Sequence, residues 1–127
     1  MAKQVLKDKQ IVIYKHITYK DSGFQVQAYM PIHEEAALWA YFKQLSGSLL
    51  YASQSVNTKE ECMFRINWRE YLRTAYPSDL TIGYQGIYYQ VTRIDPYEDY
   101  QRDMVLYGSR SDTSRLTPII PYDPTKL

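Results

Sequence analysis

The sequence predicts a mainly β protein of antiparallel strands, and three observations carry that reading. Tyrosine is abundant, at 14 of 127 residues against three Phe and two Trp. It favours strands, packing its ring while keeping its hydroxyl in water. Several segments alternate apolar and polar residues with a period of two. Turn-forming Gly, Pro, Asp and Ser punctuate the intervals between them. At this length one domain is expected.

Residues 1–9 are polar and expected to fray. The β-branched run QIVIY, residues 10–14, reads as a strand. YKDSG, residues 19–23, is a turn by its Asp, Ser and Gly. FQVQAY follows, with Phe24, Val26 and Ala28 on one face and Gln25 and Gln27 on the other. This half-buried strand completes a first hairpin.

HEEAALWAYFKQLSG, residues 33–47, reads two ways. Its Ala, Leu and Glu favour helix, with Leu38, Trp39, Phe42 and Leu45 on one helical face and Gly47 as a C-terminal cap. The same run also alternates, placing Ala36, Leu38, Ala40 and Phe42 on one side. Propensity chooses helix; the pattern leaves both open.

The next twelve residues, 46–57, carry no charge at all. They are Ser46, Gly47, Ser48, Leu49, Leu50, Tyr51, Ala52, Ser53, Gln54, Ser55, Val56 and Asn57. Such a stretch either packs against something or lines a surface where charge is unwelcome. Residues 58–69 hold the clearest strand, with Cys62, Phe64, Ile66 and Trp68 inward and Met63, Arg65, Asn67 and Arg69 outward.

YPSDL, residues 76–80, is a turn. LTIGY and IYYQVTRI are strands joined at Gln85 and Gly86, where Gly86 supplies the positive φ of a tight hairpin. Ile87, Tyr89 and Val91 are expected inward, and Tyr88, Gln90 and Thr92 outward. DPYEDYQR, residues 95–102, turns into the strand DMVLYGS. The remaining tail has three prolines in its last ten residues and is expected to be extended. Its apolar PIIPY, residues 118–122, should dock on its own domain or on a neighbour.

Charge is nearly balanced, with 15 Lys and Arg against 14 Asp and Glu. The overall basic surplus of a strong nucleic-acid binder is therefore missing, while local patches remain open. Cys62 is the single cysteine, so no disulfide forms within these residues, in keeping with a reducing cytosol. No apolar run nears the roughly 20 residues of a membrane span. The opening MAKQVLKDKQ has no apolar signal core, so synthesis and folding in the cytoplasm are expected, with no membrane partner.

No catalytic constellation emerges. His16 and His33 lie 17 positions apart, and with one cysteine no Cys/His metal spacing can be built. Both histidines read as ordinary surface or turn residues. Glu34–Glu35 and Glu60–Glu61 are adjacent pairs that would point to opposite strand faces and stay solvated. There is no P-loop, dinucleotide turn or nucleophile elbow. Cys62, on an apolar strand face, reads as buried and inert. The expectation is a non-enzyme with no cofactor and no metal. Arg65, Arg69 and Arg73 form the nearest approach to a basic stripe. Beside aromatic strands they allow a small Tyr-rich single-stranded nucleic-acid-binding barrel. A strand edge kept soluble by its arginines is the preferred reading.

Residues 36–110 resemble the head–tail joining, or head–tail adaptor, family of long-tailed bacteriophages, the head-closure "stopper" proteins. The resemblance rests on Trp39–Ala40, the turn Gln44-Leu45-Ser46-Gly47, the pattern Arg65-Ile66-Asn67-Trp68-Arg69, and Ile82, Tyr84, Gly86, Tyr89 and Val91 around a Gly turn. Gln44 stands where the family has Pro, and Gly83 interrupts the strand before the hairpin. The resemblance implies a small antiparallel β-barrel with a long inter-strand loop and an extended C-terminal tail, and it makes residues 38–45 a strand. It implies a virion structural protein at the head–tail interface, assembled in the bacterial host cytoplasm. Such a protein forms a homo-oligomeric ring, dodecameric on the connector, beneath the portal and adaptor ring. It retains packaged double-stranded DNA and docks the tail through a tail terminator or tail-completion protein; a tail-side neck protein is the neighbouring alternative. Residues 46–57 correspond to the loop that closes the channel. Tyr88 and the tail residues Pro118, Ile119, Ile120, Pro121 and Tyr122 are candidates for the subunit interface, with Tyr89 in the core.

Overall fold

The computed structural model describes residues 6–45, 61–96, 102–111 and 118–126. Seven antiparallel strands form a single sheet whose ladder closes on itself: β1 (Lys9–Asp21), β2 (Phe24–Pro31), β3 (Leu38–Gln44), β4 (Cys62–Asn67), β5 (Leu80–Tyr84), β6 (Ile87–Asp95) and β7 (Asp103–Arg110). The protein is mainly β, as expected. Successive pairing of β1, β3, β4, β7, β6 and β5 returns to β1, so six strands make a closed ring of hydrogen bonds. Closure removes the free edges that an open sheet of this size would expose.

The long first strand makes closure possible. One edge of β1 pairs with β3 at Lys9–Ile11 and then with β2 from Tyr14 onward, while its other edge pairs with β5 at Val12–Lys15. Between β2 and β3 the chain leaves the ladder through bends at residues 32–36. Beyond Lys15, β1 pairs only with β2, so the outer half of this hairpin forms a two-stranded arm. Its turn places Ser22 at φ 54° and Gly23 at φ 85°. Gln85 (φ 52°) and Gly86 (φ 79°) do the same between β5 and β6. Positive φ at both central residues is the twist-matched geometry of two-residue hairpins.

The ambiguous run after His33 is strand β3. Leu38 and Ala40 are buried and Phe42 packs on the core, whereas Trp39 faces outward. Period-two burial against two partner strands outweighs the helical propensity of Ala and Leu. Phe64, Ile66, Ile82, Val91, Met104 and Leu106 fill the ring's interior. A single-turn helix α1 (Glu70–Arg73) and a 3-10 turn (Pro77–Asp79) follow β4, and Leu72 of α1 is wholly buried in the same core.

Four details correct the sequence reading. Phe24 lies on the predicted face but is 75% exposed, because that face runs past the core along the arm. Trp68 lies beyond the end of β4, half-exposed, with its indole N–H donating to Glu70 Oε2 at 3.2 Å. Gly83 does not interrupt β5, whose ladder to both β1 and β6 runs through it. A Cβ there would meet Tyr14 Cε2 at 3.1 Å and Tyr88 Cε1 at 3.3 Å, so the glycine makes room for two rings that cross its face. His33 is in a bend but is buried, not at the surface.

Candidate functional site

The charge-free stretch 46–57 lies outside the described residues; the point where it joins the ring is described. Leu45 N–H donates to the Glu61 carbonyl at 2.9 Å, and Glu61 N–H to the Gly108 carbonyl at 2.9 Å. Leu45 and Glu61, which bracket residues 46–60 in the sequence, are therefore held together at one hydrogen-bonded neck between β3 and β4. Two residues in from each strand end, Phe42 and Phe64 are paired in register. With Tyr84 and Tyr89 they form an aromatic cluster with ring centroids 4.8–6.3 Å apart. Offset and edge-on rings add stability beyond their buried area. The described neck thus adjoins a packed aromatic cluster.

Of the tyrosine pair, Tyr89 packs on the core and Tyr88 takes the opposite face, where its ring meets Tyr14 edge-on at 6.2 Å. Burial, then the proximity of Tyr88, raises the Tyr14 phenol above its ordinary pKa. Beyond Val91 the β6–β7 register shifts by a bulge. Arg93 comes to lie over the Tyr107 ring, with its guanidinium carbon 3.9 Å from the centroid.

The tail docks on its own domain. Tyr29 N–H donates to the Pro118 carbonyl and Ile120 N–H to the Tyr29 carbonyl, each at 2.9 Å, a parallel bridge on the outer edge of β2. Ile120 packs against Ile17, Ala28 and Met30, the small core of the arm, while Ile119 faces outward. A 3-10 turn (Pro124–Lys126) follows, not foreseen from the extended reading. Lys126 Nζ meets Asp123 Oδ2 at 2.8 Å and lies 5.3 Å from the Tyr19 ring centroid. Hydrogen bonds from Lys126 and Thr125 bring the Asp123 carboxyl down to about 2. Of the interface candidates, Tyr88 and the tail therefore sit on different elements, and Ile120 is committed within the chain.

The basic stripe does not form. Arg65 pairs with Asp103 at 3.0 Å, Arg69 with Glu35 at 2.7 Å and Arg73 with Glu70 at 3.8 Å. Asp103 also receives Lys7 at 3.0 Å. These guanidiniums face carboxylates rather than a shared groove. Cys62 is buried, and its thiol donates to the Gly108 carbonyl at 3.5 Å. Burial foremost, then the nearby Glu61 charge, pushes that thiol up to about 12. It is a protonated core side chain. Among the described residues no group of three or more His, Cys, Asp or Glu could hold a metal.

Two features escaped sequence reasoning. At Ile13, where one edge of β1 changes partner from β3 to β2, the His33 imidazole completes the ladder. Its Nε2 accepts the Ile13 N–H at 3.1 Å and its Nδ1 donates to the Glu35 carbonyl at 2.8 Å, while Ile32 N–H bonds the Ile13 carbonyl at 3.0 Å. This fixes a neutral ring with its proton on Nδ1. Burial lowers the His33 pKa, outweighing the Glu35 carbonyl that would raise it. The second feature is a cavity of about 260 Å³ beside α1. Ile32, Ala75 and Leu80 give it an apolar floor, Tyr71 and Tyr76 wall it, and Lys15 and Asp79 stand at it with opposite charges. Its residues come from three separated stretches, at Lys15, Ile32 and 71–80, so no local pattern marked it.

No protein-family model matches this chain, and no curated protein sequence matches it.

Proposed function

We propose that this chain is a virion structural protein of the phage head-to-tail connector, a head-closure protein that acts as a ring of identical copies. The observation that carries the proposal is the hydrogen-bonded neck of Leu45 and Glu61 between β3 and β4, beside an aromatic cluster, where the sequence inserts residues 46–60. The twelve charge-free residues of that insertion suit a loop that meets its copies across a DNA channel. Lysines there would grip phosphates through counterion release, and carboxylates would repel them. Neutral polar side chains do neither, so the loop can close and later release DNA.

Two further observations support the reading. Most described residues of the resemblance lie on β3, β4 and the β5–β6 hairpin of one closed sheet, with Leu45, Trp68 and Arg69 just past the strand ends. The pairing of Arg65, Arg69 and Arg73 with carboxylates weighs against the single-strand-binding alternative. In this function the portal or adaptor ring lies on one side and a tail terminator or tail-completion protein on the other. The protein is part of the virion neck and assembles in the bacterial cytoplasm.

Replacing residues 46–57 with a short Gly-Ser turn tests the proposal. Heads completed with that variant should lose packaged DNA to nuclease, whereas tight, full heads would refute it. Co-sedimentation separates the head-side from the tail-side position, since a head-closure protein travels with tailless heads rather than with free tails. The free chain should shift an oligonucleotide little in a gel at any salt concentration.

A further inference from the structure

We infer that the cavity beside α1 receives the tip of the β1–β2 arm of a second copy, so that copies join head to tail. The inference rests on the ring reading for its second copy; the contact itself stands on the shape and charge of the two surfaces.

The tip is shaped as a plug. Phe24 is 75% exposed and opens β2 directly across from Asp21, with Lys20 one position further along β1. A bare aromatic ring at the end of a two-stranded arm exposes apolar area without shelter from its own core. The cavity is shaped as a socket. At about 260 Å³ it falls just below the roughly 300 Å³ at which drug-sized ligand pockets begin, and it suits one large side chain with its flanks. Its floor is apolar and its walls are Tyr71 and Tyr76, themselves 41% and 73% exposed. Edge-to-face packing of a third ring between them is favourable.

Charge is complementary as well. The tip presents Lys20 and Asp21; the socket presents Asp79 and Lys15. Among the described residues neither Lys15 nor Asp79 has an ion-pair partner. Asp21 is the ladder partner of Phe24 and shares its face, so a Phe entering the socket carries that carboxylate toward Lys15, while Lys20 points to the other face. Such pairing sets register and partner choice more than strength.

The chain cannot satisfy itself. Lys15 and Asp21 lie six positions apart on β1, about 20 Å at strand rise, with the tip directed away from the ring. Plug and socket are thus different patches, one at the end of β1 and the other beside its middle. That is a heterologous contact, which generates rings when its rotation closes.

Crosslinking of the purified chain tests this. A Gln25→Cys variant is mixed with a Ser78→Cys variant and treated with a short bis-maleimide. Cys62 is silent, being buried and protonated. The mixture should give a heterodimer well above either variant alone, and adding Phe24→Ala to the tip copy should abolish that excess. Adding Lys15→Glu to the socket copy should lower the yield roughly two- to fivefold, as loss of an exposed ion pair would. Adding Asp21→Lys to the tip copy should restore it. A yield no higher than that of Lys43→Cys mixed with Ser78→Cys would overturn the inference, as would a yield indifferent to the charge reversals. Gln25, Ser78 and Lys43 are all exposed, so the variants keep the core intact. The readout needs no phage particle, so its failure is separate from failure of the loop replacement in heads.

Discussion

Replacing His33 with Ala removes the acceptor that completes the ladder where β1 changes partner. Ile13 is fully buried, so its N–H would be left without a partner out of reach of water. A buried donor so orphaned costs about 1–3 kcal/mol, and the space vacated by the ring brings the total to about 2–4 kcal/mol. For a chain of this size that lowers the thermal midpoint on the order of 10 °C. Acid does the same work more gently. Burial holds folded His33 deprotonated below its ordinary range, whereas the unfolded chain takes up the proton near pH ~6.5. The unfolded state therefore binds more protons, and stability is complete above that pH and falls as pH drops toward the folded pKa. Glu35 and Arg69 also face the ring with opposite charges, and their influences oppose one another. Urea melts at a series of pH values read both effects. Gln at position 33 can offer an amide oxygen to Ile13 without titrating, so His33→Gln should recover part of the stability and flatten the acid slope. A His33→Ala chain within about 0.5 kcal/mol of the parent, or an unchanged acid slope in His33→Gln, would refute the reasoning.

Phe64 touches Phe42, Tyr84 and Tyr89, so Phe64→Ala should cost about 3–5 kcal/mol in urea melts, while outward-facing Trp39→Ala should stay within about 0.5 kcal/mol. Gly83→Val forces a branched side chain against Tyr14 and Tyr88 and should cost about 1–3 kcal/mol; the cost should shrink when Tyr88 is also Ala. Native Cys62 should resist a thiol-reactive dye at pH 8 and react fully in urea, because its thiol titrates at about 12 and is buried. Deleting residues 118–127 should uncover the edge of β2 and speed amide exchange at Tyr29, whose acceptor is the Pro118 carbonyl. Unchanged Tyr29 exchange would mean that the tail is not seated there in solution.

Strand identity was legible wherever one face meets the core, since alternation is then imposed by burial. Residues 62–67 follow it, Tyr89 and Val91 but not Ile87 pack on the core, and the two tight hairpin turns were marked by their glycines. The run from Leu38 was open to both readings, because Leu and Ala serve helix and strand alike; its pairing with β1 and β4 makes it a strand. Phe24 and Trp68 carried the right period but sit past the end of the core, and period alone does not say where a core stops. The role of His33 arises from a gap between two strands paired to the same edge, a relation with no local sequence signature. The cavity likewise depends on Lys15 and Asp79, 64 positions apart, meeting only after the ring closes.

Ring closure also sets an order of events during synthesis. The pairs that close the ladder, Val12 with Gly83 and Lys15 with Leu80, lie 71 and 65 positions apart in the chain. At translation rates of roughly 5–20 residues per second, β1 leaves the ribosome about 3–14 s before its closing partner exists. Through that interval it has only β2 and then β3 to pair with, both on one edge, and its other edge stays bare. Entropy of bringing such distant segments together makes closure the slow step, in the millisecond-to-second range of non-local β topologies. The most aggregation-prone moment in this protein's life therefore comes before its fifth strand is made, and a chaperone that shields residues near β1 would act then.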